Sequence, residues 1–124
     1  MDIEGCEWNV LENQPIENFM EIILELHIYP SMFQDPVFPQ KVVDTLTYLN
    51  KYFTPVHNHG NNACSPEGKP WLIEGEFPMC SEVTYIRKDL IRECVLDTQI
   101  YPIGGLDKDN DPNLPTMKLD WSST

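Results

Sequence analysis

Basic residues are scarce. Eight Lys and Arg stand against 20 Asp and Glu in 124 residues, a net charge of −12 with histidine neutral. Binding to a nucleic-acid backbone needs clustered positive charge, so that class of function is excluded, as is a basic helix lying on a membrane surface. Long apolar runs are also missing; none approaches the ~20 residues a membrane span needs. Met1-Asp2-Ile3-Glu4 is acidic where the positively charged start of a signal peptide would stand. The four cysteines, at 6, 64, 80 and 94, include no C-x-x-C pair and are widely spaced. They read as free buried thiols rather than a dense disulfide framework. Six glycines include no G-x-G. What remains, with 41% hydrophobic and 10% aromatic residues, is an acidic globular chain of one-domain length.

Proline, by contrast, is abundant. Eleven prolines cut the chain into short elements. Gly5 to Asn13 reads as a short helix with Trp8 and Leu11 on one side and Glu7 in its first turn, where the helix dipole favours negative charge. Phe19 to Tyr29 fits two periods: Phe19, Ile22, Ile23 and Leu26 suit a helix face, while Met20, Ile22, Leu24, Leu26 and Ile28 alternate like a strand. Phe38 to Phe53 is an amphipathic helix, with Pro39 early in its first turn and Val42, Leu46, Leu49 and Phe53 along one stripe. Val56 begins an extended stretch leading into His57-Asn58-His59-Gly60-Asn61-Asn62. Residues 63–79 read as a long loop with one short strand at Trp71-Leu72-Ile73, Glu82 to Arg87 as a strand, and Leu90 to Leu96 as a turn or two of helix. The alternation is that of an α/β fold occupying residues 1–100, followed by an irregular acidic tail over 101–124.

The segment Asp2-Ile3-Glu4-Gly5-Cys6-Glu7-Trp8 packs three carboxylates around a glycine at a strand-to-helix junction. Open α/β sheets bind ligands beyond the carboxyl ends of their strands, so this is a candidate site. With Leu11 it resembles the D-x-E-G-x-E-x-x-x-L signature of the FkbM-type S-adenosylmethionine-dependent methyltransferases. Ile23-Leu24-Glu25-Leu26-His27 is similar to that family's following strand, which ends in Glu-x-His, and residues 39–53 to its next helix. The segments 57–62 and 82–87 resemble its closing strands, so the likeness covers residues 1 to about 90.

The resemblance implies that Phe19–Tyr29 is a strand. It implies the C-terminal half of a doubly wound, Rossmann-like methyltransferase sheet with antiparallel last strands. The implied activity is methyl transfer from S-adenosylmethionine to an oxygen of an unidentified acceptor. Asp2 would face the methyl donor, with Glu4 and His27 orienting the acceptor or taking its proton, and Glu7 would support its helix turn. No glycine-rich donor loop precedes Asp2, so the chain reads as a fragment of such a domain, inactive alone. Its exposed sheet edge would promote association.

A second reading is a small acidic binding module. His57, His59, Cys64 and Cys80 are donors of the kind Zn²⁺ accepts, although H-x-H-x4-C-x15-C matches no usual zinc-finger spacing. Asp107-Lys108-Asp109-Asn110-Asp111 starts like a calcium loop, but Pro112 and Lys118 stand where an EF-hand needs Gly and Glu, so it reads as a solvated turn.

Overall fold

The structure, a computed structural model, describes residues 1–64, 72–73, 77–95 and 98–120. The described elements follow in the order α1 (Glu7–Asn13), β1 (Glu21–His27), α2 (Phe38–Tyr52), β2 (Phe53–Gly60), β3 (Leu72–Ile73), β4 (Phe77–Pro78), β5 (Cys80–Arg87), β6 (Ile100–Tyr101) and β7 (Leu119–Asp120), with 3₁₀ turns between several of them. The ambiguous run 19–29 is a strand. The helix expected over 38–53 gives way to β2 at Phe53, one residue early. The helical turn expected at 90–96 is a 3₁₀ turn over Lys88–Leu90 instead. Leu96, Trp71 and most of the loop expected over 63–79 lie outside the described residues.

Three strands form one sheet in the order β1-β5-β2, with β5 antiparallel to both neighbours. It follows that β1 and β2, joined through α2, run parallel to each other with β5 inserted between them. Pro55 is tolerated because β2 is an edge strand, and the register shifts beside it, between Pro55 and His57. On the outer edge of β1, the Met1 ammonium donates to Ile23 O (2.5 Å) and Glu25 N–H donates to Met1 O (2.8 Å). Those two bonds flank Leu24 in the pattern of parallel neighbours.

Side chains alternate across the sheet, so its two faces differ. Leu24 and Leu26 of β1 and Val83 and Tyr85 of β5 point to one side. There they join Trp8 and Leu11 of α1 and Phe38 and Leu49 of α2 in the main core. Trp8 meets the Phe38 ring edge-on at 6.0 Å, and its indole N–H donates to His27 O (2.7 Å). Glu25, His27, Cys80, Glu82, His57 and His59 share the opposite face.

Residues 100–120 are irregular between β6 and β7 but are not wholly solvated. β6 and β7 pair, and Tyr101, Met117 and Leu119 form a second buried cluster. A Cβ on Gly60 would collide with Met117 Sδ, so glycine is what lets this segment close on the end of β2. Asn62 ties the segment down, donating to Asp111 O (2.9 Å) and accepting from Asp111 N–H (3.0 Å).

Candidate functional site

The acidic segment before α1 folds into a tight turn. Glu4 and Gly5 both have positive φ, 56° and 99°, and Cys6 N–H closes on Ile3 O (3.2 Å). Two successive positive φ values are those of a type I′ turn, which favours glycine at its second centre. A Cβ on Gly5 would also run into Met32 Cε. Glycine is therefore favoured by conformation, whereas the space is set only by the flexible end of the Met32 side chain.

This turn sends Glu7 inward. Its side chain is fully buried and accepts from Ile3 N–H (2.9 Å to Oε1) and Gly5 N–H (3.0 Å to Oε2). Oε1 also lies 3.0 Å from Nδ1 of His27, itself 2% exposed. With a carboxylate at Nδ1, a neutral ring carries its proton there and has its lone pair on Nε2. Nε2 faces Glu4 Oε2 at 3.6 Å, beyond hydrogen-bond length, and the Glu4 side chain is 78% exposed. Tyr29 donates to that same Glu4 oxygen (3.3 Å), and burial, then Glu4, push its phenol up to about 12. A carboxylate oxygen of Asp2 lies within 4.8 Å of ligand atoms of both Glu7 and His27.

The three expected site residues, Asp2, Glu4 and His27, are thus brought to one place at the carboxyl end of β1. The reading of Glu7 as a helix-start feature misses its main role: it is the anchor of His27, across 20 residues of sequence. Nothing local distinguishes a dipole-stabilising glutamate from a buried one. The pairing was legible only as the coincidence of the third motif acid with a histidine ending the strand after α1.

The cysteines require a correction. Cys64 and Cys80 form a disulfide with Cα atoms 5.9 Å apart, while Cys6 and Cys94 are free but exposed rather than buried. Cys80 stands opposite His27 in the β1–β5 register, and Cys64 ends the 3₁₀ turn that follows β2. His57 and His59 do share a face, yet each has its own carboxylate: Asp107 Oδ1 is 2.9 Å from His57 Nε2, and Glu82 Oε2 is 3.7 Å from His59 Nδ1. Among the described residues the cysteines group instead with Glu25 and His27. Burial pushes the Glu25 carboxyl up, opposed by a hydrogen bond from Asn61 Nδ2 (2.5 Å).

Comparison with family models, with curated proteins and with solved structures returns no match. No helix among the described residues is long and apolar enough to cross a membrane.

Proposed function

We propose that this chain is the acceptor-side half of an FkbM-type methyltransferase domain, with His27 as the base that takes a proton from an oxygen acceptor. One observation carries the reading: the D-x-E-G-x-E turn and the Glu-x-His strand end meet at the carboxyl end of β1. Met1 bonds to β1 in the parallel pattern, and β1 runs parallel to β2 with β5 antiparallel between them. Such an arrangement fits the closing end of a doubly wound sheet, where ligands sit beyond the strand ends.

These residues do not by themselves make a site for S-adenosylmethionine. Asp2 is exposed, and Gly104 and Gly105 lie in an open turn beside the Gly104–Asp107 bridge instead of between a strand and a helix. This chain's own residues therefore supply the acceptor side alone. An acceptor hydroxyl placed between Glu4 and His27 gives its proton to Nε2. The imidazolium formed is stabilised by Glu7 at Nδ1, whose position is already fixed by two backbone N–H groups. Glu4 orients the acceptor, and Glu7 is a positioning residue.

The test joins the glycine-loop strands of an FkbM-type relative ahead of Met1 and measures methyl transfer to hydroxyl and carboxyl acceptors at saturating donor. His27→Gln is expected to lower turnover about 10²-fold or more, the range of a positioned acid–base group. Unchanged turnover would remove the assignment.

A further inference from the structure

We propose that, once the Cys64–Cys80 disulfide is reduced, Glu25, His27, Cys64 and Cys80 bind one divalent cation of the zinc type. This does not rest on the methyl-transfer reading. One ligand atom from each of the four residues lies within 4.8 Å of the others, the span of a single coordination sphere. Two sulfurs, one imidazole nitrogen and one carboxylate oxygen are the borderline-soft set that suits tetrahedral Zn²⁺.

The sheet builds this group. Glu25 and His27 are two apart on one face of β1, and Cys80 stands opposite His27 on β5. Cys64 is held by the turn after β2, where Asn61 N–H donates to Cys80 O (3.0 Å) and Ala63 N–H donates to Asn61 Oδ1 (2.8 Å). The supporting contacts are those that metal ligands need. Glu7 occupies Nδ1 of His27 and leaves Nε2 to coordinate; Asn61 Nδ2 engages Oε1 of Glu25 and leaves Oε2 free; the Tyr29 hydroxyl lies 4.0 Å from Cys80 Sγ. Asp2, Glu4 and Glu7 gather further negative charge around His27, which a divalent cation offsets.

The disulfide and the metal are alternatives for the same sulfurs. A dithiol reductant supplies two electrons and two protons, its own sulfurs becoming a disulfide, and the Cys64–Cys80 bond opens to two thiols. Cation binding then displaces both thiol protons to solvent.

The experiment uses the full chain carrying Cys6→Ser and Cys94→Ser, so that the two site cysteines are the only thiols. It is reduced with a water-soluble phosphine, which ends as its oxide with oxygen from water, and titrated anaerobically with Co²⁺. We expect one equivalent to bind with a thiolate-to-cobalt charge-transfer band and the visible bands of tetrahedral Co²⁺, both abolished by one equivalent of Zn²⁺. The unreduced chain should show neither. Cys80→Ser should abolish tight binding, and His27→Gln and Glu25→Gln should each weaken it about tenfold or more while the sulfur band persists. A reduced chain that binds no cobalt, that gives an octahedral spectrum, or that binds equally tightly after both the His27 and Glu25 substitutions would overturn the proposal.

Discussion

The two faces of the β1-β5-β2 sheet are built from alternate residues of the same strands, yet they do different work. On one face Leu24, Leu26, Val83 and Tyr85 are buried against α1 and α2. On the other Glu25, His27, Cys80 and Glu82 gather polar and ionisable groups, two of them fully or almost fully buried. An apolar face lowers its free energy by leaving water and tolerates swaps that keep volume. A buried polar face is stable only when each group finds its partner, so its pattern of pairs is specific and costly to disturb. The first face accounts for the fold, and the second is where a fold of this size has invested its specificity. Two residues cross the divide. Trp8 packs in the apolar core while its indole N–H holds His27 O, and Glu7, its neighbour in α1, reaches the His27 ring.

Loss of Trp8 disturbs both faces most severely. Trp8→Ala empties a site of 1% exposure and removes the bond to His27 O. Urea unfolding should register a loss of about 3–5 kcal/mol, the cost of deleting a large core aromatic. Glu7→Gln comes next. It removes no volume, but one of its two oxygens becomes a donor facing the Ile3 and Gly5 N–H groups or the His27 Nδ1–H. The expected loss is about 2–3 kcal/mol, that of a buried charged acceptor left mismatched. A surface helix-dipole role would cost only a few tenths of a kcal/mol to ~1 kcal/mol, so the same unfolding curve distinguishes the two.

Glu25→Gln should have the smallest effect and the opposite sign. Burial raises the folded-state pKa of this carboxyl above its unfolded value, so the native state binds the proton more readily. The stability linked to that proton is fully present below the unfolded pKa of about 4.5 and is lost as pH rises through the folded value. In metal-free, disulfide-bonded protein the variant should therefore match the parent in acid and melt slightly higher at neutral pH. The Asn61 bond has an oxygen to accept it in either form. Equal differences in melting temperature at pH 4 and pH 7 would contradict this.

How far these features were legible depends on how local their causes are. The strand at 21–27 shows in its alternation, although the same residues also fit a helix, and α2 is plain because Val42, Leu46 and Leu49 repeat at helical spacing. The proximity of Asp2, Glu4 and His27 was expected only through the resemblance, which sets the acidic segment beside the end of the strand at 21–27. The burial of Glu7 did not, because it depends on a left-handed turn at Glu4-Gly5 and on a partner 20 residues away. The disulfide escaped for a similar reason. Cys64 and Cys80 meet only because β2 and β5 pair antiparallel with Gly60 opposite Ser81, a register that spacing alone does not reveal. The last segment misled by composition: its prolines, glycines and acids outnumber Tyr101, Met117 and Leu119, which are the residues that bury.

One contact, the Glu7 carboxylate at Nδ1 of His27, frees Nε2 of the neutral ring both for an acceptor proton and for a metal ion. Long-range ¹⁵N–¹H correlation of the His27 ring in its neutral form reads this directly. The predicted result is a protonated Nδ1 and an unprotonated Nε2 in the wild-type chain, with that preference reduced or reversed in Glu7→Gln. A wild-type ring protonated at Nε2, or a tautomer unaffected by Glu7→Gln, would contradict it.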